Sequence, residues 1–103
     1  MAKCSCGIAS ANVFKSFDRL ENELKKENPD FISARDLTDD IRFAWFPDMK
    51  KDCKIDLSEE KKLLDEAIKH IFDKRWDDAI HKVRIADFQT WNKLLKCAEK
   101  KGD

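Results

Sequence analysis

The segments Val13-Phe14-Lys15-Ser16-Phe17-Asp18 and Ala67-Ile68-Lys69-His70-Ile71-Phe72-Asp73 both end an apolar helical pattern on Phe-Asp. After each segment the chain passes through a polar stretch and meets a short alternating one, Phe31 to Leu37 in the first case and Val83 to Phe88 in the second. Helix, loop and helix therefore occur twice in the same order. Because one such unit leaves an apolar face uncovered, we expect the two units to pack against each other.

The repeated unit has the layout of an EF-hand pair. In an EF-hand pair, a β-branched loop residue from each unit enters a short ladder with its twin, and Ile32 and Val83 hold the corresponding positions here. The sequence therefore predicts an all-α fold of two paired EF-hand-like helix-loop-helix units with a minimal two-stranded ladder.

Apolar spacing and capping residues predict four main helices. The first has its N-cap at Ser10 and ends near Glu27, and the second opens at Ser33 and ends before Pro47. A charged connector, Asp48 to Ile55, leads to a third helix capped by Asp56 or Ser58. Residues 73–82 are predicted as a polar loop, and Asp87 as the N-cap of the fourth helix.

The predicted domain covers residues 10–101 and follows a flexible leader, residues 1–9. Helical spacing places one aromatic-rich set of side chains in a single core. Its members are Phe14, Phe17, Leu37, Ile68, Phe72, Phe88 and Trp91.

Composition excludes several classes of protein. Lys plus Arg and Asp plus Glu both number 21, whereas a general nucleic-acid binder is normally more basic. No apolar run approaches the roughly 20 residues of a membrane span, and no signal peptide is visible, so an intracellular protein is expected. The four cysteines match no common disulfide or zinc spacing, and reduced thiols are expected.

Calcium binding is not expected at either loop. With Ile32 at position 8 of an EF-hand loop, Lys25 occupies the first ligand position. With Val83 at position 8, Trp76 occupies it. Neither loop supplies enough oxygen ligands, so both are degenerate as calcium-binding loops. No cofactor is predicted.

Two pairs of residues permit a catalytic interpretation. Glu66 and His70 lie four apart, and Asp78 and His81 lie three apart, so each pair can share a helical face. A His/carboxylate metal enzyme is therefore one alternative. The chain has no glycine-rich phosphate loop and no Ser or Cys with a recognisable partner His, so we expect no enzymatic activity.

The stretch Lys50-Lys51-Asp52-Cys53-Lys54-Ile55, followed by Ile71-Phe72 and by Val83-Arg84-Ile85-Ala86-Asp87-Phe88, resembles the p25-alpha domain of the tubulin polymerization promoting protein family. That family carries a Lys-Asp-Cys-Lys-Val-type element, an aliphatic-Phe pair and a basic-aliphatic-x-aromatic-x-acidic-Phe element in this order. Val13 to Phe17 resembles its opening helix. The similarity spans residues 13 to 98 and rests on the order and spacing of the motifs.

The chain departs from the family in several places. It is longer before Lys50, and Ala67 and Lys69 replace an acidic pair of the third helix. Asp77-Asp78 stands where the family has a glycine-containing loop. The resemblance therefore implies a short, divergent member. The family's zinc binding and nucleotide hydrolysis do not transfer, because no ligand set or phosphate loop matches here.

The resemblance implies a non-enzymatic cytoskeletal protein that binds tubulin or microtubules, with a place in the cytoplasm and in the cilium or flagellum. Microtubule surfaces are acidic, so basic clusters beside an exposed Trp are the expected contacts. These residues are Lys50, Lys51, Lys54, Lys74, Arg75, Trp76, Lys82 and Arg84. No nucleic-acid or membrane partner is expected. The alternative is an EF-hand-like interaction module that binds a partner helix without calcium regulation.

Overall fold

A computed structural model describes the backbone of residues 7–102 and the side chains of residues 11–51 and 54–96. This part of the chain contains no strand, and the all-α prediction is confirmed. Its helices are α1 (Gly7–Leu24), α2 (Phe31–Asp40), a π-helical turn (Ile41–Trp45), α3 (Phe46–Cys53), α4 (Ser58–Phe72) and α5 (Trp76–Gly102).

The predicted two-stranded ladder is wrong. Ile32 lies in the first turn of α2 and is 57% exposed, whereas Val83 lies inside α5 and is completely buried. A short alternating stretch does not distinguish a strand from a helix face, and packing decides between them. The pairing of two EF-hand-like units is not confirmed.

The predicted polar loop over residues 73–82 is also wrong, since only Asp73–Arg75 separates α4 from α5. Lys74 makes the reversal with a left-handed backbone, at a φ of 58°. Asp77 and Asp78 then occupy the first turn of α5, where the helix dipole favours negative charge. Asp87 consequently lies in the middle of α5 and caps no helix.

A single helical path runs from α2 through the π turn to α3, so Pro47 does not end the second helix. Pro47 lies in the first turn of α3. The amide of Phe46 donates to the carbonyl of Ile41, five residues back, which is the hydrogen bond of a π-helix. Ile41 and Phe46 therefore share one face and are both buried. The predicted connector is helical as far as Cys53, and Lys54 ends α3 in a left-handed conformation.

The first two helices also begin at other residues than those predicted. α1 begins at Gly7, so Ser10 lies inside the helix, and residues 1–6 of the predicted leader lie outside the described residues. Asp30, and not Ser33, caps α2, and its carboxylate accepts from the Ser33 amide at 3.3 Å and the Ser33 hydroxyl at 2.6 Å. These hydrogen bonds, led by that of the Ser33 side chain, lower the pKa of Asp30.

Every helix and the π turn contribute residues to one core, and α4 and α5 make the most extensive contact. The buried face of α5 carries small side chains, Ala79, Val83, Ala86 and Thr90, which let the neighbouring helices approach closely. Among the predicted core residues Phe17 is completely buried. Phe14, Leu37 and Ile68 are partly buried against the core.

Three predicted core residues are instead exposed, Phe72 by 58%, Phe88 by 65% and Trp91 by 46%. Phe88 and Trp91 lie outside the buried face of α5 that the small residues form. Their spacing of three residues is nevertheless one that places side chains on a common side of a helix. The bundle is elongated, with extents of 47 × 19 × 18 Å. Within the described residues, no helix combines the length and the apolar character needed to cross a bilayer.

Candidate functional site

The predicted lysines of the connector lie together at the end of α3. Lys50, Lys51 and Lys54 are exposed. The ion pairs formed within the described part of the chain include none of the three. Their charges are therefore available to a partner.

The second predicted cluster lies at the link between α4 and α5. Lys74 and Arg75 are exposed beside an open depression of about 390 Å³, but Trp76 is partly buried against the core and is not the free anchor that was expected. Asp77 and Asp78 line the same depression and balance the two cations. The 15 residues of α4, about 22 Å of helix, separate this cluster from the connector. The predicted basic residues therefore do not form one patch.

The last two predicted contacts have partners inside the molecule. The Lys82 ammonium lies 2.8 Å from the Glu66 carboxylate, and Arg84 Nε lies 3.4 Å from Glu21 Oε1. Contact with Lys82, first through a hydrogen bond and then through its charge, lowers the pKa of Glu66. Lys82 and Arg84 are therefore less available to an acidic partner than the connector lysines.

An open groove of about 420 Å³ lies between the π turn and the start of α4 and includes Lys50. We call it the Phe43 groove. It is lined by Arg42, Phe43, Phe46, Pro47, Lys50, Asp56, Leu57, Ser58 and Lys61.

Phe43 is the exposed aromatic centre of the groove, with 59% of the residue accessible. The Arg42 guanidinium carbon lies 4.5 Å from the Phe43 ring centroid and Lys61 Nζ lies 5.5 Å from it, both within cation–π range. Arg42 also bonds the carboxylates of Asp39 and Asp65, which neutralise its charge. Lys61, like Lys50, has no carboxylate partner among the described residues.

The opposite wall of the groove is anchored to α5. Asp56 accepts hydrogen bonds from the Ser58 hydroxyl and from the Ser58 amide, and these bonds lower the pKa of Asp56. Lys93 Nζ donates to the Asp56 carbonyl and to Glu60 Oε1, each at 2.8 Å. Glu60 is completely buried, so this pair ties the first turn of α4 to α5. The groove thus contains one fixed carboxylate, whose pKa the charges of Lys93 and Lys50 also lower, and two lysines without an ion pair among the described residues.

Of the groove residues, only Lys50 was predicted as a contact. Phe43 follows the buried Ile41 by two residues, which places it about 200° around the helix. That spacing is a sequence signal for an exposed aromatic side chain. Lys61 joins the groove only because α4 packs against α2 and brings Lys61 to the Phe43 ring, and no local pattern in the sequence indicates this.

A cluster of carboxylates lies where α1 packs against α5. Burial, a hydrogen bond with Glu21 and the charges of Glu21 and Asp18 raise the pKa of Asp87 to about 7. A protonated Asp87 can donate to Glu21, whereas an ionised one repels it. This cluster makes the α1–α5 contact sensitive to pH.

Three exposed apolar residues follow one another along α5, which we call the α5 stripe: Phe88, Trp91 and Leu95. Their spacing of three and four residues keeps them on one side of the helix. Trp91 also contacts Phe14 of α1 edge to face, with ring centroids 5.2 Å apart. The stripe therefore borders the α1–α5 contact.

The residues considered for metal chemistry do not form a metal site in the described part of the chain. Glu66 is engaged by Lys82. No group of three His, Cys, Asp or Glu residues described by the structure could hold a metal ion. The alternative that joins Glu66, His70, Asp78 and His81 in a metal centre gains no support from this geometry.

Comparison of the chain with models of known families, with curated proteins and with solved structures finds no match in any of the three.

Proposed function

We propose that this chain is a non-enzymatic cytoskeletal protein, a short and divergent relative of the p25-alpha family, that binds tubulin or microtubules. The observation that supports this most directly is the connector cluster, where Lys50, Lys51 and Lys54 are exposed and have no ion-pair partner among the described residues. A partner in the cilium or flagellum is part of the same proposal.

Charge makes the connector a suitable contact for an acidic surface. Unpaired lysines attract an acidic partner at long range and raise the rate of association, and salt weakens the effect. Lys50 also lines the Phe43 groove, so one of the three lysines lies beside an exposed aromatic ring. Aromatic residues next to cations are common anchors in protein interfaces.

Co-sedimentation with microtubules over a series of salt concentrations tests the proposal. The informative variant reverses the connector charge with Lys50→Glu, Lys51→Glu and Lys54→Glu. A matched control makes the same change in net charge at three exposed lysines elsewhere, Lys15→Glu, Lys25→Glu and Lys69→Glu. We expect the connector variant to lose most pelleting and the control to retain it.

Two results would count against the proposal. Failure of the folded wild-type protein to pellet at low salt would remove the support for microtubule binding. Equal loss in both triple variants would show that net charge, and not the connector, controls pelleting. Circular dichroism confirms that each variant is folded.

A second candidate function follows from the α5 stripe. Phe88, Trp91 and Leu95 present an apolar line to solvent, as expected for a module that docks the apolar face of a partner helix. On this alternative the chain is an EF-hand-like interaction module without calcium regulation. A blue shift of tryptophan fluorescence on titration with an amphipathic model helix, lost in Trp91→Phe, would favour it. An unchanged spectrum would argue against it.

A further inference from the structure

We propose that the Phe43 groove is a binding site for an acidic protein segment that carries an aromatic side chain next to its carboxylates. The inference goes beyond the proposed function, because it specifies what the groove recognises whether or not the segment belongs to tubulin.

The π turn places Phe43 on the surface. Its extra residue brings Ile41 and Phe46 onto the same buried face, and Phe43 between them points to solvent. π-Helical turns are frequent at functional sites. Phe43 is not among the side chains packed against the core, and 59% of the residue is exposed, so a partner can contact its ring beside the Arg42 and Lys61 cations.

An aromatic side chain complements the Phe43 ring. Two aromatic rings attract each other most in offset or edge-to-face arrangements, and the open groove of about 420 Å³ has room for a ring beside Phe43. The cations at 4.5 and 5.5 Å from the Phe43 centroid also favour a second ring within their reach. Burial of both rings then adds apolar stabilisation.

Carboxylates complement the two lysines of the groove. Asp39 and Asp65 already neutralise the charge of Arg42. Lys50 and Lys61 are therefore the cations of the Phe43 groove that form no ion pair among the described residues. Both lie on exposed positions at the edge of the groove. A segment with acidic residues on either side of its aromatic residue would pair with both.

The same charges disfavour a nucleic acid as the occupant. Asp56 lines the groove, and its pKa is lowered, so it stays ionised near neutral pH. A phosphate backbone carries charge at every nucleotide and would meet this carboxylate, whereas a peptide can place a neutral residue there. The chain as a whole also has a formal net charge of zero.

Fluorescence anisotropy with the full chain and labelled synthetic peptides tests the inference. The probe is a Glu-rich peptide with one central Phe. One control peptide has Phe replaced by Ser, and the other has every Glu replaced by Gln. At low salt we expect saturable binding of the probe, and at least about tenfold weaker binding of either control peptide.

Matched protein variants localise the binding. Phe43→Ser is compared with Phe72→Ser, because both rings are similarly exposed. Lys61→Glu is compared with Lys69→Glu, an exposed lysine of the same helix outside the groove. We expect each groove variant to weaken binding about tenfold and each comparison variant to change it less than about twofold. Thermal melts show that all four variants are folded.

Several results would overturn the inference: no saturable binding by the wild type, equal loss in groove and comparison variants, or equal affinity for the Gln peptide. An oligonucleotide that binds as tightly as the probe would overturn the choice of an acidic peptide. The microtubule assay is a separate readout. Peptide binding without pelleting supports the groove and contradicts the tubulin proposal, and pelleting without peptide binding does the reverse.

Discussion

The carboxyl group of Asp87 makes the stability of the protein depend on pH. Its pKa is about 7 in the folded protein and 3.8 in the reference state, because burial and Glu21 both disfavour its charged form. Between these pH values the folded state keeps a proton that the unfolded state has lost. The stabilisation is complete below about pH 4 and disappears as the pH rises through 7.

Four other carboxylates change the stability with pH in the opposite direction, and they do so at lower pH. Their pKa values are lowered, so they stabilise the fold above their unfolded pKa and lose this effect only as the pH falls further. They are Glu23, Asp30, Asp56 and Glu66. The range from pH 5 to pH 8 therefore separates the contribution of Asp87 from that of these four carboxylates.

We predict that Asp87→Asn removes most of the fall in Tm between pH 5 and pH 8. Asparagine has the shape of the protonated side chain and cannot ionise. After allowance for solvent screening, the gain at pH 8 is about 1–2 kcal/mol, or several degrees in Tm. Thermal melts at both pH values measure it. The exposed Asp40→Asn serves as the control, and the same flattening there would contradict the assignment.

Two phenylalanines differ in solvent exposure, and we expect their replacement by alanine to destabilise the protein to different extents. Phe72 is 58% exposed and keeps one aromatic contact, with Phe31 at 5.0 Å between centroids. We predict that Phe72→Ala costs about 0.5–1.5 kcal/mol, the range of an aromatic pair. Phe17→Ala should cost about 3–5 kcal/mol, because Phe17 is completely buried. Urea denaturation measures both, and equal losses would contradict the structure.

These residues show what helical spacing can predict. Spacing placed Phe17 and Phe72 in one core, and only Phe17 is buried. Periodicity indicates that side chains share a face, but it does not say which of two apolar faces another helix covers. On α5 the small residues Ala86 and Thr90 take the buried face, because they permit close approach, and Phe88 is left outside.

At the scale of the elements, Pro47 lies inside a continuous helical path from Phe31 to Cys53. Proline has no amide hydrogen to donate, and its ring crowds the carbonyl four residues earlier, so it destabilises a helix interior. The wider π turn before Pro47 reduces this destabilisation. We predict that Pro47→Ala stabilises the protein by about 1 kcal/mol, less than the about 3 kcal/mol typical of a helix interior. Thermal melts measure the change.

A second proline provides the control. Pro29 precedes α2 and lies outside any helix, so Pro29→Ala should give no such gain. A fall in Tm for Pro47→Ala would show that the rigid proline stabilises the path and would contradict the prediction.

The elements differ in how well the sequence predicts them. The ends of α4 are close to those expected, because a wide apolar stripe marks the helix locally, but its N-cap is Leu57 and not the predicted Asp56 or Ser58. The path across Pro47 was missed, since a π turn depends on the packing of Ile41 and Phe46 and has no clear local signature. Residues 73–82 contain no glycine or proline, so nothing local prevents an early start of α5.

At the scale of the whole molecule, we predict that calcium leaves the stability unchanged. The second predicted loop is helical from Trp76, and the residues that the structure describes contain no group of three His, Cys, Asp or Glu side chains that could hold a metal ion. A bound ion would raise Tm by mass action. Melts with millimolar calcium and with a chelator should coincide, and a saturable rise in Tm would contradict the prediction.

The candidate site also contains residues that the sequence could predict and residues that only tertiary packing brings together. The exposure of the connector lysines could be predicted, because charged residues in a polar stretch of sequence are usually at the surface. The Phe43 groove joins Arg42 and Phe43 with Lys61 of another helix, and it forms because α4 packs against α2. A surface built by tertiary packing has no continuous motif in the sequence.

The short link between α4 and α5 has a consequence for the order of folding. Helices that are adjacent in sequence and in extensive contact pair rapidly, because little chain entropy is lost in bringing them together. α1 must then close a much longer loop to reach α5. We therefore expect the α4–α5 hairpin to form first, with its amide hydrogens the slowest to exchange, and the docking of α1 to set the refolding rate.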